Sequence, residues 1–250
     1  MIKKHSILLI QIFIVVAFLF LWEFLASKKI INPFIFSSPT RVIKTIGDLY
    51  VSGELFKHIL TTIYEVIISF ILGISLGFFI AILLYEIPTL AKITDPFLTM
   101  LNSLPKVALG PMIILWFGAN TKSIIVMALF INLIISILNI YNGFLGTDKD
   151  KMKLMMSLKA SKYQILKYLV IPESLQTIIA SLKINISMTL IGVIMGEFLV
   201  SKKGIGYLII YGTQIFNLNL VITGIFLLII LSIILYEIIT IFEKKTLKKF

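Results

Sequence analysis

The sequence predicts an all-α membrane protein with six transmembrane helices. Three observations support this fold class. The 250 residues are 59% hydrophobic, with a mean hydropathy of +1.05, well above the composition of soluble globular domains. Several apolar runs reach the roughly 20 residues that a helix needs to cross a bilayer. Only 14% of the residues are charged, and they concentrate between these runs.

Six apolar segments have a suitable length. The first follows Lys3, Lys4 and His5. It is too long for a signal-peptide core and lacks a cleavage pattern, so we interpret it as a retained anchor. Pro105 and Pro111 interrupt the third segment, and a broken helix is tolerated in a membrane only where protein or water covers the freed backbone groups. The predicted spans are residues 7–26, 59–85, 97–118, 123–144, 174–200 and 219–242.

The distribution of charge predicts that both termini are cytoplasmic. The net charge is +11, which a membrane explains better than nucleic acid, because Lys and Arg hold loops on the cytoplasmic side. With the N-terminus inside, the inner segments carry more basic residues than the outer ones. The absence of cysteine rules out disulfides and thiolate metal sites, and we interpret His5 and His58 as interfacial side chains.

A short helix is predicted between the first two spans. Ser38 suits the N-cap position and Pro39 the first turn. The apolar residues that follow share one face, so this helix is expected to lie on the membrane surface. We divide the chain into an N-terminal anchor with this outer segment (1–56), a five-span core (57–243) and a basic cytoplasmic tail (244–250). The apolar face consists of Val42, Ile43, Ile46 and Leu49.

The chain carries no recognisable signature of catalysis. It has no G-x-x-x-x-G-K-[ST] phosphate loop, no H-E-x-x-H motif, no glycine-framed serine and no Cys/His cluster. We therefore expect a protein that is not an enzyme and has no cofactor of its own. If ATP energises it, the nucleotide binds to another chain.

Polar side chains within the spans are candidates for a solute path. A charge near the bilayer centre costs about 2–3 kcal/mol unless it faces a cavity or a partner. For each single residue, hydrogen bonding between helices is the alternative. The fifth span, which also contains Lys183 and Ser187, is more polar than a lipid-facing helix, so we expect it to face the interior. The candidate path residues are Asn102, Lys106, Asn185, Thr189 and Glu197.

Two pairs of glycines predict close helix packing. Gly73 and Gly77 lie four residues apart in the second span, and Gly192 and Gly196 repeat this spacing in the fifth. Such small-x-x-x-small faces let helix backbones approach one another in membranes. The alternative is that the membrane tolerates these glycines and that they have no packing partner.

Residues 148–172 form the most distinctive segment between the spans. Lysines alternate there with apolar residues at helical spacing, which predicts a pair of short amphipathic helices in the cytoplasm. A solvated charge run is the alternative. Pro172 is expected to end the second short helix and to begin the next span. The segment also has an apolar stripe that requires a covering protein if it is exposed: Met155, Leu158, Ile165 and Leu169.

Three stretches of the chain resemble the membrane permease subunits of bacterial ABC importers, in the nitrate, sulfonate and taurine group. They are DPFLTMLNSLPKVALGPMIILWFGAN at 95–120, KASKYQILKYLVIPESLQTII at 159–179 and GEFLVSKKGIGYLI at 196–209. The resemblance implies a type I ABC importer permease fold with cytoplasmic coupling helices between spans four and five. It also implies ATPase-coupling roles for Ser157, Lys159, Ala160, Ser161, Lys162, Gln164, Ile165, Leu166 and Pro172.

The partners and cargo follow from the same resemblance. It implies a homodimeric pore in the bacterial inner or plasma membrane, an external solute-binding protein, and a separate ATPase dimer that binds ATP and Mg²⁺. The solute would resemble nitrate, sulfonates or taurine, or be a vitamin precursor, and Lys106 and Lys183 would suit an anion electrostatically. An ATPase-independent channel or secondary carrier, and a membrane scaffold, are the alternatives.

The sequence departs from the family at two notable positions. Lys159 occupies a habitual glycine, which predicts either a divergent ATPase interface or a continuous helix in place of a turn. Glu65 occupies a position that is commonly basic in relatives. If the segment docks an ATPase, Lys162→Glu or Leu166→Asp is expected to abolish that association without preventing membrane insertion.

Overall fold

The computed structural model describes residues 4–247, with side chains for 9–246. Over this range the chain is helical and contains no strand. A 3₁₀ turn covers Lys106–Leu109, and a π-helical turn covers Leu166–Val170. The helices are α1 (Lys4–Ser27), α2 (Pro33–Phe36), α3 (Pro39–Val51), α4 (Glu54–Glu86), α5 (Pro88–Ser103), α6 (Gly110–Phe117), α7 (Thr121–Leu145), α8 (Lys149–Ser157), α9 (Lys162–Ile165), α10 (Ile171–Val200), α11 (Ile205–Gln214) and α12 (Leu218–Leu247).

Within the described residues, five helical stretches are long and apolar enough to cross a membrane, and a sixth is a bent pair. The pair joins α5 to the 3₁₀ turn and α6 at an angle of 88°. The predicted break in the third span is therefore present at Pro105, but the first helix of the pair begins at Pro88 rather than at residue 97. Leu104 precedes Pro105 and is extended, with φ −64° and ψ 139°, in line with the bias of a residue before proline away from the helical region. Pro111, in contrast, lies in the first turn of α6, where its missing N–H costs nothing.

The chain divides into two compact units. Met1–Thr61 and Lys203–Ile229 form unit 1, and Thr62–Lys202 and Ile230–Phe250 form unit 2. The predicted basic tail lies partly outside the described residues. α12 continues to Leu247 and carries Lys244 and Lys245 in its last turn.

In unit 2, α4 packs closely on α7 through the first glycine pair. A Cβ added at Gly73 would lie 2.5 Å from Asn132 Nδ2, and one added at Gly77 would lie 2.5 Å from Ser136 Cβ. Asn132 is fully buried; its Nδ2 donates to Ser69 O (3.4 Å) and its Oδ1 accepts from Ser136 Oγ (2.8 Å). The glycines thus make room for polar side chains that link the helices.

The second glycine pair joins α10 to the same helix. A Cβ at Gly192 would lie 2.6 Å from Ala128 Cα, and one at Gly196 would lie 2.9 Å from Ile124 Cγ2. The predicted close packing is confirmed for both pairs, and α7 is the shared partner. Backbone proximity of this kind replaces the hydrophobic driving force that is missing between helices in lipid.

In unit 1, α3 begins as predicted. Ser38 Oγ accepts a hydrogen bond from Arg41 N (3.4 Å), and Pro39 occupies the first turn. The Ser37 hydroxyl, one residue earlier, donates to Asn219 Oδ1 at the start of α12 (2.7 Å). This bond fixes the junction between α2 and α3 against α12.

His58 has a different environment from the interfacial one that we predicted. It is 4% exposed, and its Nδ1 accepts a hydrogen bond from Gly204 N (3.0 Å). Its ring stacks on Tyr207, with centroids 5.7 Å apart. Gly204 has φ +107°, a conformation that L side chains rarely adopt, so the histidine fixes a glycine-dependent turn before α11. The side chain of His5 lies outside the described residues.

Candidate functional site

The segment between α7 and α10 contains the predicted coupling residues. Its first helix, α8, begins at Asp148, whose Oδ1 accepts from Asp150 N (2.8 Å) and Lys151 N (3.5 Å). Lys151 Nζ also forms a 2.8 Å ion pair with Glu173 Oε1. This carboxylate raises the pKa of Lys151.

A left-handed turn ends α8 at Lys159, whose φ is +59°. Lys159 N donates to Met156 O (2.9 Å), and Ala160 N donates to Met155 O (3.0 Å). These two bonds form a Schellman motif, which normally has glycine at the left-handed position. The continuous helix considered above is therefore wrong. The turn remains, and lysine adopts the left-handed conformation.

The second short helix runs directly into the next span. Ser161 and Gln164 form a reciprocal capping box at the start of α9. The helix then passes through the π-helical turn into α10, with Ile171 N donating to Leu166 O. The prediction that Pro172 ends the second short helix is therefore wrong, because the helix continues through it. The wider i→i+5 bonding suits the proline, which cannot donate and whose ring would clash with a carbonyl in an α-helix.

The predicted apolar stripe divides between the interior and the surface. Ile165 and Leu166 are buried in a cluster with Ile140, Phe144 and Val170. Met155 and Leu169 pack against the same cluster, so of the predicted stripe only Leu158 is exposed. Because Leu166 belongs to this core, Leu166→Asp would damage the fold and is not a specific test of docking.

A different set of side chains forms the exposed face of α8, α9 and the π turn, which we call the coupling face. Leu158 is 74% exposed, and four further large apolar or aromatic side chains are between 56% and 65% exposed. A cavity of about 260 Å³ adjoins this face, lined in part by Met152, Met156 and Lys162. Among the predicted coupling residues, the exposed ones are Ser157, Lys159, Ser161, Lys162, Gln164 and Pro172. The other exposed apolar or aromatic members of the coupling face are Leu154, Met156, Tyr163 and Tyr168.

The polar residues of α10 lie in the interior of unit 2, as expected. Asn185, Thr189 and Glu197 are all fully buried. Thr189 Oγ1 donates to Asn185 O (2.7 Å), and Thr62 Oγ1 donates to Glu197 Oε1 (2.6 Å). The amide group of Asn185 has no hydrogen-bond partner among the described residues.

A second buried carboxyl lies beside Glu197. Glu65, on α4, is fully buried, with Glu197 and Thr121 next to its carboxyl group. No hydrogen bond to either Glu65 oxygen is present within the described residues. The sequence places each of these two residues near one end of its predicted span, but nothing in it shows that α4 and α10 meet there.

The remaining candidate path residues lie elsewhere and are already partnered. Asn102 is exposed and Lys106 is half-buried. They flank the bend after α5, and Lys106 Nζ donates to Asn102 O (3.0 Å). Lys183 Nζ forms a 2.5 Å ion pair with Glu243 Oε2 on α12. Both lysines that we expected to attract an anion are thus engaged by oxygen atoms of this chain.

Known proteins share this architecture and this sequence pattern. A family model described as binding-protein-dependent transport system inner membrane component matches residues 73–248. A putative aliphatic sulfonates transport permease protein, SsuC of Bacillus subtilis, is 27% identical over 91% of this chain and 83% of its own length. The formylaminopyrimidine transport permease protein ThiX of Halalkalibacterium halodurans is 27% identical over 75% of this chain and 74% of its own length.

A solved structure has the same fold. A chain of the MetNI methionine ABC transporter, in an inward-facing conformation, has a TM-score of 0.67 at 18% identity. The match covers 74% of this chain and 93% of that one. Over the matched part, this chain therefore has the same fold as that chain.

The family match extends over more than half of the chain and includes α7, the coupling segment and α10. The family match thus supports an ABC importer over the alternatives of a channel, a secondary carrier or a scaffold. It gives this chain a transport role and no catalytic one. The chain belongs to the family of binding-protein-dependent transport system inner membrane components and is a membrane-spanning permease subunit of an ABC importer.

Proposed function

We propose that the coupling face is the surface on which a separate ATPase binds and drives this permease. ATP and Mg²⁺ are held by that ATPase, and an external binding protein delivers the solute. The family implies partners of both kinds. In this proposal the permease is a homodimer with both termini in the cytoplasm, where the coupling segment meets the ATPase dimer.

The exposed apolar side chains of the coupling face carry this proposal. Leu154, Leu158 and Tyr163 are each more than 60% exposed on a segment whose lysines rule out burial in lipid. Apolar groups at a protein–water boundary are typical of interaction sites. Aromatic residues in particular are enriched at the centres of such interfaces.

The buried side of the same segment provides the mechanical link. Ile165 and Leu166 are 5% and 6% exposed and pack against Phe144 of α7. Lys151 pairs with Glu173 in the first turn of α10. Since both attachments join the coupling segment to spanning helices, a displacement imposed by the ATPase moves α7 and α10 together. Rigid-body movement of this kind underlies alternating access.

Substitution of the exposed side chains tests the docking surface. Leu158→Asp and Tyr163→Asp are expected to weaken co-purification of the cognate ATPase by about tenfold or more. Val51→Asp, at an 87% exposed position on α3, is the matched control and leaves the association unchanged. Equal recovery of the ATPase by all three variants would remove the coupling face from the interface.

For the solute, we propose an uncharged, pyrimidine-like vitamin precursor rather than a sulfonate. One relative named for aliphatic sulfonates and one named for formylaminopyrimidine are each 27% identical in sequence to this chain. Sequence identity therefore does not distinguish the two solutes. The charge distribution favours the uncharged solute at Lys183, because Glu243 balances the charge of that lysine. Lys106 keeps its charge, since the Asn102 carbonyl that it contacts is neutral.

Direct competition between solutes decides this proposal. The cognate binding protein is titrated with a formylaminopyrimidine and with an alkyl sulfonate in a thermal-shift assay. Uptake of each is then measured in proteoliposomes that contain the complete transporter. We expect stabilisation and uptake with the pyrimidine alone. Uptake of the sulfonate would reject the solute assignment and leave the coupling proposal intact.

A further inference from the structure

Unit 1 contains a polar cavity that no part of the transport mechanism uses. Its volume is about 560 Å³, and it lies where the apolar helices end, between α3, the end of α11 and the start of α12. Predicted membrane spans end on this side at Ser27 and begin again at Leu218, so the cavity lies at the level of the membrane–water interface. Its lining includes Arg41, Lys44, Asp48, Tyr211, Asn217 and Asn219.

The charges of this cavity suit an anionic group. Arg41 Nη1 donates to Pro33 O (3.0 Å), which fixes the guanidinium and leaves most of its five N–H donors available. Lys44 lies one turn further along α3 and adds a second positive charge. Asp48 supplies one negative charge to the described lining, and the Glu23 carboxylate lies near Arg41 outside it. A phosphate with polar substituents would find both cations and several amide and hydroxyl groups here.

A second cavity of unit 1 is almost wholly apolar. It has a volume of about 450 Å³ and lies between α1, α2 and α12. The Trp22 indole donates to Phe36 O (3.2 Å) and the ring stacks on Phe226, so the polar atom of the tryptophan is already engaged. The lining includes Trp22, Phe36, Ile222, Ile225, Phe226 and Ile229.

The two cavities adjoin one another. Phe36 lines the apolar cavity, and Ser37 next to it donates to Asn219, which lines the polar one. On α12, Asn219, Ile222 and Phe226 follow at helical spacing along one face. A polar site at the interface therefore lies beside an apolar groove between two spanning helices, with the Ser37–Asn219 bond between the two linings.

The combined length of the two cavities along α12 matches one leaflet of a bilayer. From Asn219 to Ile229, α12 advances about 15 Å at about 1.5 Å per residue. The hydrocarbon core of a bilayer is about 30 Å thick, so this distance equals the depth of a single leaflet. A ligand that fills both cavities has an anionic head at the interface and an apolar chain one leaflet long.

We infer that the two cavities form a binding site for one anionic phospholipid, with its phosphate between Arg41 and Lys44 and one acyl chain along α1 and α12. The site is separate from the coupling face and does not depend on the identity of the solute. Its occupant joins α1 to α3 and α12, and thereby fixes the N-terminal anchor in unit 1.

Lipid titration of the intact permease–ATPase complex tests this site. Delipidated complex is titrated with phosphatidylglycerol, and bound lipid per protomer is counted by native mass spectrometry. Phosphatidylcholine with the same chains and soluble glycerol 1-phosphate are the comparison probes. We expect retained phosphatidylglycerol, weak retention of phosphatidylcholine, and no competition by glycerol 1-phosphate. Arg41→Gln combined with Lys44→Gln is expected to weaken phosphatidylglycerol binding by about tenfold or more.

Two further variants make the result specific. Lys28→Gln with Lys29→Gln removes the same charge from unit 1 outside both cavities and should leave binding unchanged. Ile225→Trp, which fills the groove, should reduce binding while the ATPase still co-purifies. Equal losses in both charge variants, or displacement by glycerol 1-phosphate alone, would overturn the site. A third result would also overturn the site: the Arg41 and Lys44 variant binds lipid normally but loses ATP hydrolysis stimulated by the binding protein. That result would assign the polar cavity to a protein contact.

Discussion

Lys151 and Glu173 form a 2.8 Å ion pair that joins the first coupling helix to the start of α10. Glu173 also lies 3.4 Å from the backbone N–H of Asp148, the residue that caps the same helix. One carboxylate thus contacts both the cap and the first turn of α8. The pair is a direct mechanical connection between the surface proposed to bind the ATPase and a spanning helix.

Removal of this carboxylate is expected to impair coupling more than stability. Glu173→Gln keeps the shape of the side chain but loses the charge that attracts Lys151, and exposed ion pairs contribute little to stability. ATPase association should persist while solute uptake per ATP hydrolysed falls. Reconstituted uptake and ATP hydrolysis, measured together, report this ratio. An unchanged ratio would show that the ion pair transmits no motion.

The pH dependence of the pair follows from the raised pKa of Lys151. A lysine whose folded-state pKa is raised contributes its stabilisation fully below its unfolded pKa, about 10.4, and loses it as the pH rises through the folded value. The contribution of Lys151 to coupling should therefore be constant between pH 7 and pH 9. A decline in the ratio of uptake to hydrolysis over that interval in wild type, absent from Lys151→Met, would contradict this assignment.

The left-handed lysine provides a test of local stability. Lys159 has φ +59° at the end of α8. For a residue with a side chain, this left-handed conformation costs about 1–2 kcal/mol relative to a right-handed one. Lys159→Gly should raise the free energy of unfolding by about 1 kcal/mol, after allowance for the greater freedom of glycine in the unfolded chain. Ser157→Gly, inside the helix, should lower it by a similar amount. Chemical unfolding in detergent measures both.

The sequence predicted the features that depend on local patterns. Hydropathy located the spanning helices, Ser38 and Pro39 marked the start of α3, and the glycine spacing identified the faces that meet α7. Each of these signals is contained in fewer than about 30 consecutive residues, and the physical rule that connects pattern to structure acts within one helix or one helix face.

Other features required knowledge of the assembled bundle. Whether Pro172 ends a helix depends on whether the chain can shift to π-helical bonding, and the burial of Ile165 and Leu166 supports that continuous path. The proximity of Glu65 and Glu197 depends on two helices that are far apart in sequence. Side chains at the same helical spacing can face either the core or a partner, so periodicity alone did not separate the buried part of the coupling segment from its exposed part.

The buried carboxyl of Glu65 is expected to reduce stability. It lies in the interior beside the carboxyl of Glu197, and a buried polar group whose hydrogen bonds are poorly satisfied costs about 1–3 kcal/mol. Glu65→Leu should therefore raise the free energy of unfolding by about that amount. Glu197→Leu should lower it instead, because it removes the acceptor of the 2.6 Å bond from Thr62. Equal effects of the two variants would show that the carboxyls are interchangeable.

The glycine contacts with α7 should differ in how well they tolerate a methyl group. At Gly192 the added Cβ would meet Ala128 Cα at 2.6 Å, so the backbones of two helices must separate. At Gly73 the obstacle is the end of the Asn132 side chain, which can rotate. Gly192→Ala is therefore expected to lower the free energy of unfolding by about 1–3 kcal/mol, and Gly73→Ala by less.

Gly47 is the matched control for these glycine substitutions, because it is helical and a Cβ there would meet nothing within 4 Å. Gly47→Ala should raise stability by about 0.5–1 kcal/mol through helix propensity alone. The order of the three variants, measured by thermal unfolding of the purified permease, tests the packing directly. If Gly192→Ala were as stable as Gly47→Ala, α7 and α10 could not approach one another as closely as the structure places them.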